Sequence, residues 1–304
     1  MRELNYRDKK CLSGDKVGFF EHVVQDYHFG KLTRFSKVEI GYEDDNYILE
    51  TTIGTYFVKI FGLYRDINEC RRYVEIIQKA CTADIKTPKM YPPSLNIIDG
   101  RNLSVFEFVD GKTFYELKQK PTKSEAKVIL SEAAKINGTN FKPTYVYDEW
   151  AIVNAADQYQ IVKNYLSTAE KSKIEPLVKI FIEIKSETLP HCFVHGDIIT
   201  TNVIRNSTGG IYVIDFACAN YYPRLLELAV IACNLLADYD HAYILEEYGR
   251  HNPLTDREKE LFPLFVDLAH AMHIIGAVRE RDIYGNASAE NEYWLNQGRS
   301  GLGL

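Results

Sequence analysis

Residues 193–219 read FVHGDIITTNVIRNSTGGIYVIDFACA. His195 and Asp197 precede a turn, Asn202 follows Asp197 by five residues, and Asp215 closes the apolar run IYVI. The β-branched residues on either side predict short strands around a tight hairpin. Two carboxylates and an amide set around such a turn form an oxygen-rich donor set. It suits a hard cation together with an acceptor for one proton. A solvated loop would carry the same letters, so the remainder of the chain has to decide.

Upstream, DKVGFFEHVVQDYHF (15–29) places Val17, Phe20, Val23, Val24 and Tyr27 at helical spacing. Residues 34–60 then switch to β-branched and aromatic runs, FSKVEI, NYILETT and TYFVKIF, broken at GYEDD and IGT. This predicts three adjacent antiparallel strands. DINECRRYVEIIQKA (66–80) returns to helical period, and SLNIIDGRNLSVFEFV (94–109) predicts a hairpin turning at Asp99-Gly100. Beyond Gly111 helical patterns dominate, at about 124–137, 155–168 and 175–187, with more towards the C-terminus. The fold class is therefore α+β, with a small β-rich lobe (1–109) joined by a hinge near 107–111 to a larger helical lobe (110–304).

The 304 residues carry a net charge of -6 with 46% hydrophobic and 26% charged residues. That composition fits a folded domain and gives no basic patch that would point to nucleic acid. No apolar run approaches a membrane span, and the charged start MRELNYRDKK lacks the apolar core of a secretory signal. Six scattered cysteines without a CxxC pair fit a reducing compartment, so the cytoplasm is the expected location. Nothing in the sequence speaks to oligomeric state.

HGDIITTN followed by VIDFA resembles the signature of the aminoglycoside phosphotransferase and homoserine kinase-like superfamily, which includes relatives of choline kinase. NYILETTIGTYFVKIF, SVFEFVDGKTFYEL, DFACANYYPRLLELAVIACNLL, NPLTDREKELFPLF and ENEYWLNQG extend the likeness over nearly the whole chain. The resemblance implies a bilobal protein-kinase-like fold and an enzyme that moves phosphate from ATP, with Mg²⁺, to a hydroxyl of a small molecule. It makes Asp197 the catalytic base, Asn202 and Asp215 the metal ligands, and Lys59 the partner of the phosphates. Glu107, Phe108 and Val109 become the hinge whose backbone meets adenine, and the loop IGYEDDNY a cover for the nucleotide. An acidic residue on the helix after Lys59 should steady it. The helical wheel favours Glu69, while the distance of Glu75 along the chain suits some relatives. The sequence departs from the family at Glu227, where relatives carry aspartate, although the twelve-residue distance from Asp215 is kept.

Protein kinase is disfavoured within the same fold. Gly196 and Ala217 replace that family's arginine and glycine, and only seven residues separate Asp215 from Pro223. The resemblance to the homoserine kinase-like branch implies a hydroxy amino acid or an amino alcohol as the acceptor. An aminoglycoside is the alternative, for which Asp238, Asp240, Glu246 and Glu247 are candidate pocket carboxylates unless they form a solvated face. A non-catalytic nucleotide-binding module, and a metal hydrolase using His191, His195 and Asp197, are the readings from other classes. His195 itself reads as an anchor for the loop rather than a proton carrier. His270 and His273 in HAMH lie three apart on a helix but have no third ligand in view, so they read as ordinary helix residues.

Overall fold

The computed structural model describes Leu12 and residues 14–41 and 43–304. The charged start, Cys11 and Tyr42 of the GYEDD break lie outside these residues. The chain divides into two compact units, one running through Thr82 and including Thr87–Gly111, the other comprising Ala83–Lys86 and Lys112–Leu304.

In the first unit, helix α1 (Lys16–Asp26) starts where the Asp15 carboxylate accepts from the Gly18 N–H at 3.1 Å. Strands β1 (Leu32–Val38), β2 (Asp45–Thr51) and β3 (Thr55–Ile60) form an antiparallel meander, as their alternation predicts. Strand β5 (Arg101–Glu107) pairs with β3, placing Ser104 opposite Lys59, and β4 (Asn96–Ile98) closes the order β1-β2-β3-β5-β4. Asp99 and Gly100, at φ 48° and 73°, make the two-residue turn between β4 and β5. Both central residues at positive φ match the right-handed twist of the flanking strands. One face of the sheet buries Tyr47, Leu49, Val58, Ile60, Leu103 and Val105 against Phe20, Val23 and Val24 of α1. Each such aliphatic or aromatic side chain contributes about 1.5–3 kcal/mol by leaving water. Helix α2 (Ile67–Thr82) covers the other face, where Tyr73 meets Phe61 and Phe106 edge-on.

A short strand β6 (Gly111–Thr113) leads into α3 (Phe114–Leu117) and α4 (Lys123–Gly138), each opened by a reciprocal Thr–Glu cap. Helices α5 (Ala155–Val162) and α6 (Thr168–Ile184) follow. Here the sequence reading needs two corrections. The helix expected over 155–168 stops at Val162, and the next starts at Thr168 rather than near 175. Ser167 and Glu170 exchange capping hydrogen bonds that fix the new start, and α6 runs on through Pro176.

Strand β7 (His191–Val194) pairs antiparallel with β10 (Asn220–Pro223), while β8 (Val203–Asn206) and β9 (Ile211–Val213) form the hairpin read from the opening stretch. Residues 83–86 join this unit because the Val213 N–H donates to Lys86 O and the Lys86 N–H donates to Glu132. Helices α7 (Arg224–Cys233), α8 (His241–Gly249), α9 (Asp256–Asp282) and α10 (Ala289–Gly301) complete the unit. Helix α9 is long and apolar enough to cross a membrane by length and composition, yet 83% of its apolar window is buried inside the protein. Its apolar surface therefore belongs to the core, beneath α7 and α10.

Candidate active site

Strand β7 delivers the HGD turn. Gly196 sits at φ +81°, and a Cβ there would lie 3.2 Å from the Cys218 carbonyl oxygen, so conformation and space both call for glycine. His195 is fully buried. Its Nε2 donates to Ile214 O at 3.0 Å, and its Nδ1 accepts from the Asp197 N–H at 3.2 Å. Burial pushes this imidazole down to about 4, so both nitrogens are committed to neutral hydrogen bonding at physiological pH. His195 thus ties the HGD turn to the strand end before Asp215, as an anchor does. His191, the other histidine of the hydrolase alternative, has Nδ1 against Leu189 O at 2.7 Å and its ring stacked on Tyr221.

Glu227, in the first turn of α7, accepts the His195 N–H at 3.0 Å on Oε1 and the Gly196 N–H at 2.7 Å on Oε2. Glu227 therefore clamps the turn. Burial pushes its carboxyl up to about 7, against the two N–H donors that favour the ionised form. The far side of the turn is held by Asn234, whose Oδ1 accepts the Thr200 N–H at 2.6 Å while its Nδ2 donates to Gln297.

Within this frame the Asn202 Nδ2 donates to Asp197 Oδ2 at 2.6 Å and to Asp197 O at 3.0 Å. The Asn202 carbonyl accepts the Ile214 N–H at 2.9 Å, so Asn202 lies against the residue that precedes Asp215. Asp215 adopts φ 61° and ψ 77°, a left-handed conformation that costs a non-glycine residue roughly 1–2 kcal/mol. The structure thus gathers Asp197, Asn202 and Asp215 around one hairpin. Because the Asn202 amide nitrogen is spent on Asp197, its Oδ1 is the atom left to face a cation, and amide and carboxylate oxygens are what Mg²⁺ takes.

In the first unit Lys59 is buried on β3, with Nζ 5.2 Å from the Tyr73 ring centroid and 3.0 Å from Asp44 Oδ2. Asp44 was missed by the sequence reading, which placed it only in a covering loop. It also accepts from Arg65 Nε at 2.9 Å and from the Gly62 N–H at 2.9 Å. Burial opposes its ionisation, but Arg65 and Lys59 beside it hold its carboxyl below the usual carboxylate range. Glu69 stands in the first turn of α2, where its Oε2 accepts the Asp66 N–H at 3.1 Å and closes a cap with Asp66. Glu75 lies further along the same helix. Of the residues expected to form the hinge, Glu107 donates its N–H to Lys89 O at 2.9 Å, Phe108 is exposed and Val109 half-buried. Asp238 pairs with Lys120, Glu246 with Arg250, and Glu247 with Arg250 and Lys127. Three of the four acidic candidates for an aminoglycoside pocket are thus engaged by cations of their own lobe.

The family model described as "Phosphotransferase enzyme family" matches residues 34–261, three quarters of the chain, including Lys59, Asp197, Asn202, Asp215 and Glu227. This chain belongs to the phosphotransferase enzyme family. Its fold is the protein-kinase-like α+β fold of that family, and it is an enzyme that moves phosphate from ATP to a hydroxyl group of a small molecule. A homoserine kinase of Bartonella tribocorum is 22% identical over 249 residues, covering 76% of this chain and 76% of that protein. A microcompartment-associated aminopropanol kinase superposes with a TM-score of 0.70 at 13% identity, covering 93% of this chain and 95% of the other. A spectinomycin phosphotransferase in complex with ADP and spectinomycin gives a TM-score of 0.66 at 15% identity, covering 92% of each chain.

Proposed function

We propose that this phosphotransferase phosphorylates the hydroxyl of a hydroxy amino acid or amino alcohol, with Asp197 as the base. The observation that carries the reading is the short hydrogen bond from Asn202 Nδ2 to Asp197 Oδ2, which fixes the Asp197 carboxylate beside Asn202 in an orientation that can meet an incoming hydroxyl. Asp197 then orients that hydroxyl and accepts its proton as the new O–P bond forms and the bond to the leaving ADP breaks. Asn202 Oδ1 and the Asp215 carboxylate would hold Mg²⁺, which when bound neutralises charge on the phosphates. Lys59 pairs with the phosphates, with Glu69 and Asp44 as acidic neighbours, and the backbone of Glu107, Phe108 and Val109 meets adenine. The enzyme works in the cytoplasm.

The relatives at about one-fifth identity are homoserine kinases, and an aminopropanol kinase shares the fold. Both names support an acceptor with an amine near its hydroxyl. The pairing of Glu246 and Glu247 with lobe cations weighs against an aminoglycoside. The test is ADP release with ATP and Mg²⁺ over homoserine, choline, aminopropanol, hydroxylysine, methylthioribose and aminoglycosides. Acceleration by a hydroxy amino acid or amino alcohol supports the assignment. Acceleration by an aminoglycoside alone overturns it, and ATP binding with no turnover on any alcohol favours the binding-module alternative.

A further inference from the structure

The second unit holds a group of side chains that phosphoryl transfer does not use. His270 and His273 share one face of α9, and the fold brings Cys233, the last residue of α7, to them. One ligand atom from each of the three lies within 4.8 Å of the others. Cys233 and His270 are buried, and the Nδ1 atoms of both histidines are buried without a hydrogen-bond partner. Helix α10 closes the site from above, with Gly298 and Gly301 against His270 and the Trp294 ring 5.3 Å from His273.

Two neighbouring buried imidazole nitrogens left unpartnered are a burden on an ordinary core, since each such group costs about 1–3 kcal/mol. A metal ion bound at these nitrogens would remove that cost. Sulfur with two imidazoles is the donor set of zinc-class ions and a poor one for Mg²⁺ or Ca²⁺, which take oxygen. Zinc bonds of about 2.0–2.3 Å in a tetrahedral arrangement would draw the ligand atoms to roughly 3.5 Å apart. That contraction is of side-chain size.

We propose that Cys233, His270 and His273 form a binding site for one zinc-class divalent ion, with a fourth position left to water. On binding, the Cys233 S–H, which now donates to Val230 O, loses its proton to solvent and the thiolate sulfur bonds the ion. The ion joins α7 to α9 one residue before Asn234, whose side chain holds the turn between Asp197 and Asn202. It is a brace, separate from the oxygen ligands Asn202 and Asp215, and it can be measured without an acceptor or a turnover assay.

The experiment is metal content by plasma mass spectrometry on tag-free protein from zinc-supplemented growth, with Cys233→Ser and His273→Ala alongside. We expect about one zinc per chain in the parent and little in the variants. Cobalt(II) added to the metal-free parent should give a thiolate-to-cobalt absorption band and tetrahedral ligand-field bands. Chelation should lower Tm by several degrees, and zinc should restore it. A variant that fails to fold leaves the parent measurements to decide. A parent with metal far below one per chain and no thiolate–cobalt band overturns the proposal, as does equal zinc in the parent and the folded variants.

Discussion

Replacing Asp44 by alanine tests how the first unit holds the buried Lys59. Asp44 is 1% exposed, Lys59 4% and Arg65 11%, so the three form a buried ionic cluster. At an effective dielectric near 20, each cation–carboxylate contact at about 3 Å gains roughly 5 kcal/mol, most of which desolvation offsets. Asp44→Ala leaves the desolvation in place and removes the compensation for Lys59, for Arg65 and for the Gly62 N–H. Breaking buried pairs of this kind costs about 3–5 kcal/mol. At a typical urea slope that moves the midpoint of the first unit by about 2 M. Both tryptophans, Trp150 and Trp294, lie in the second unit, so their fluorescence would miss the effect. Far-UV circular dichroism in urea, with hydrogen exchange at β2 and β3, reads it directly. The exposed pair Arg34–Glu50 on the same sheet supplies the control, and Glu50→Ala should cost less than about 1 kcal/mol. If Asp44→Ala costs no more than the control, the cluster is not the support described here.

Glu227→Gln should show a signed pH dependence. The folded value of about 7 lies above the ordinary carboxylate value of 4.5, so between them the folded chain keeps a proton that the unfolded chain has released. The parent therefore loses stability from this group as pH rises through that window, while glutamine loses none. Urea unfolding at about pH 5 and about pH 8 should show the variant gaining on the parent; a constant difference, or a loss, would contradict the account. Tyr248→Phe should cost about 1–3 kcal/mol in thermal unfolding, because it strands Asn137 Oδ1, whose own amide holds the Phe193 carbonyl. A neutral outcome would mean that the Tyr248–Asn137 bond is not needed to hold β7. Asp215→Ala should weaken Mg²⁺-nucleotide binding more than tenfold by calorimetry, about 1.4 kcal/mol, and an unchanged affinity would remove Asp215 from the metal site.

The phosphotransferase hairpin was legible because local signals agreed. β-branched runs, a glycine-bearing turn and short-range spacing all act within 27 residues, Phe193 to Ala219. The Asp99-Gly100 turn and the strand alternation were legible for the same reason. Asp44 was not, because burial of one acid in the run EDD depends on Arg65, 21 residues away, folding back over it. Glu69 carried a readable signal that was passed over, since Asp66 followed three residues later by glutamate is a helix-start pattern. The same pattern at Ser167 and Glu170 marked the start of α6, which the expectation placed too late. Cys233 and His270 stand 37 residues apart on different helices, and no periodicity connects them.

The proposed role of Asp197 is to act on the acceptor hydroxyl and not on the nucleotide. Single-turnover kinetics of Asp197→Asn, with Mg²⁺-ATP affinity measured by calorimetry on the same preparation, tests it most directly. We expect phosphoryl transfer to fall by about 10²–10⁴ with ATP affinity changed less than threefold. Transfer near the parent rate would contradict the assignment, and so would a loss explained wholly by weaker ATP binding.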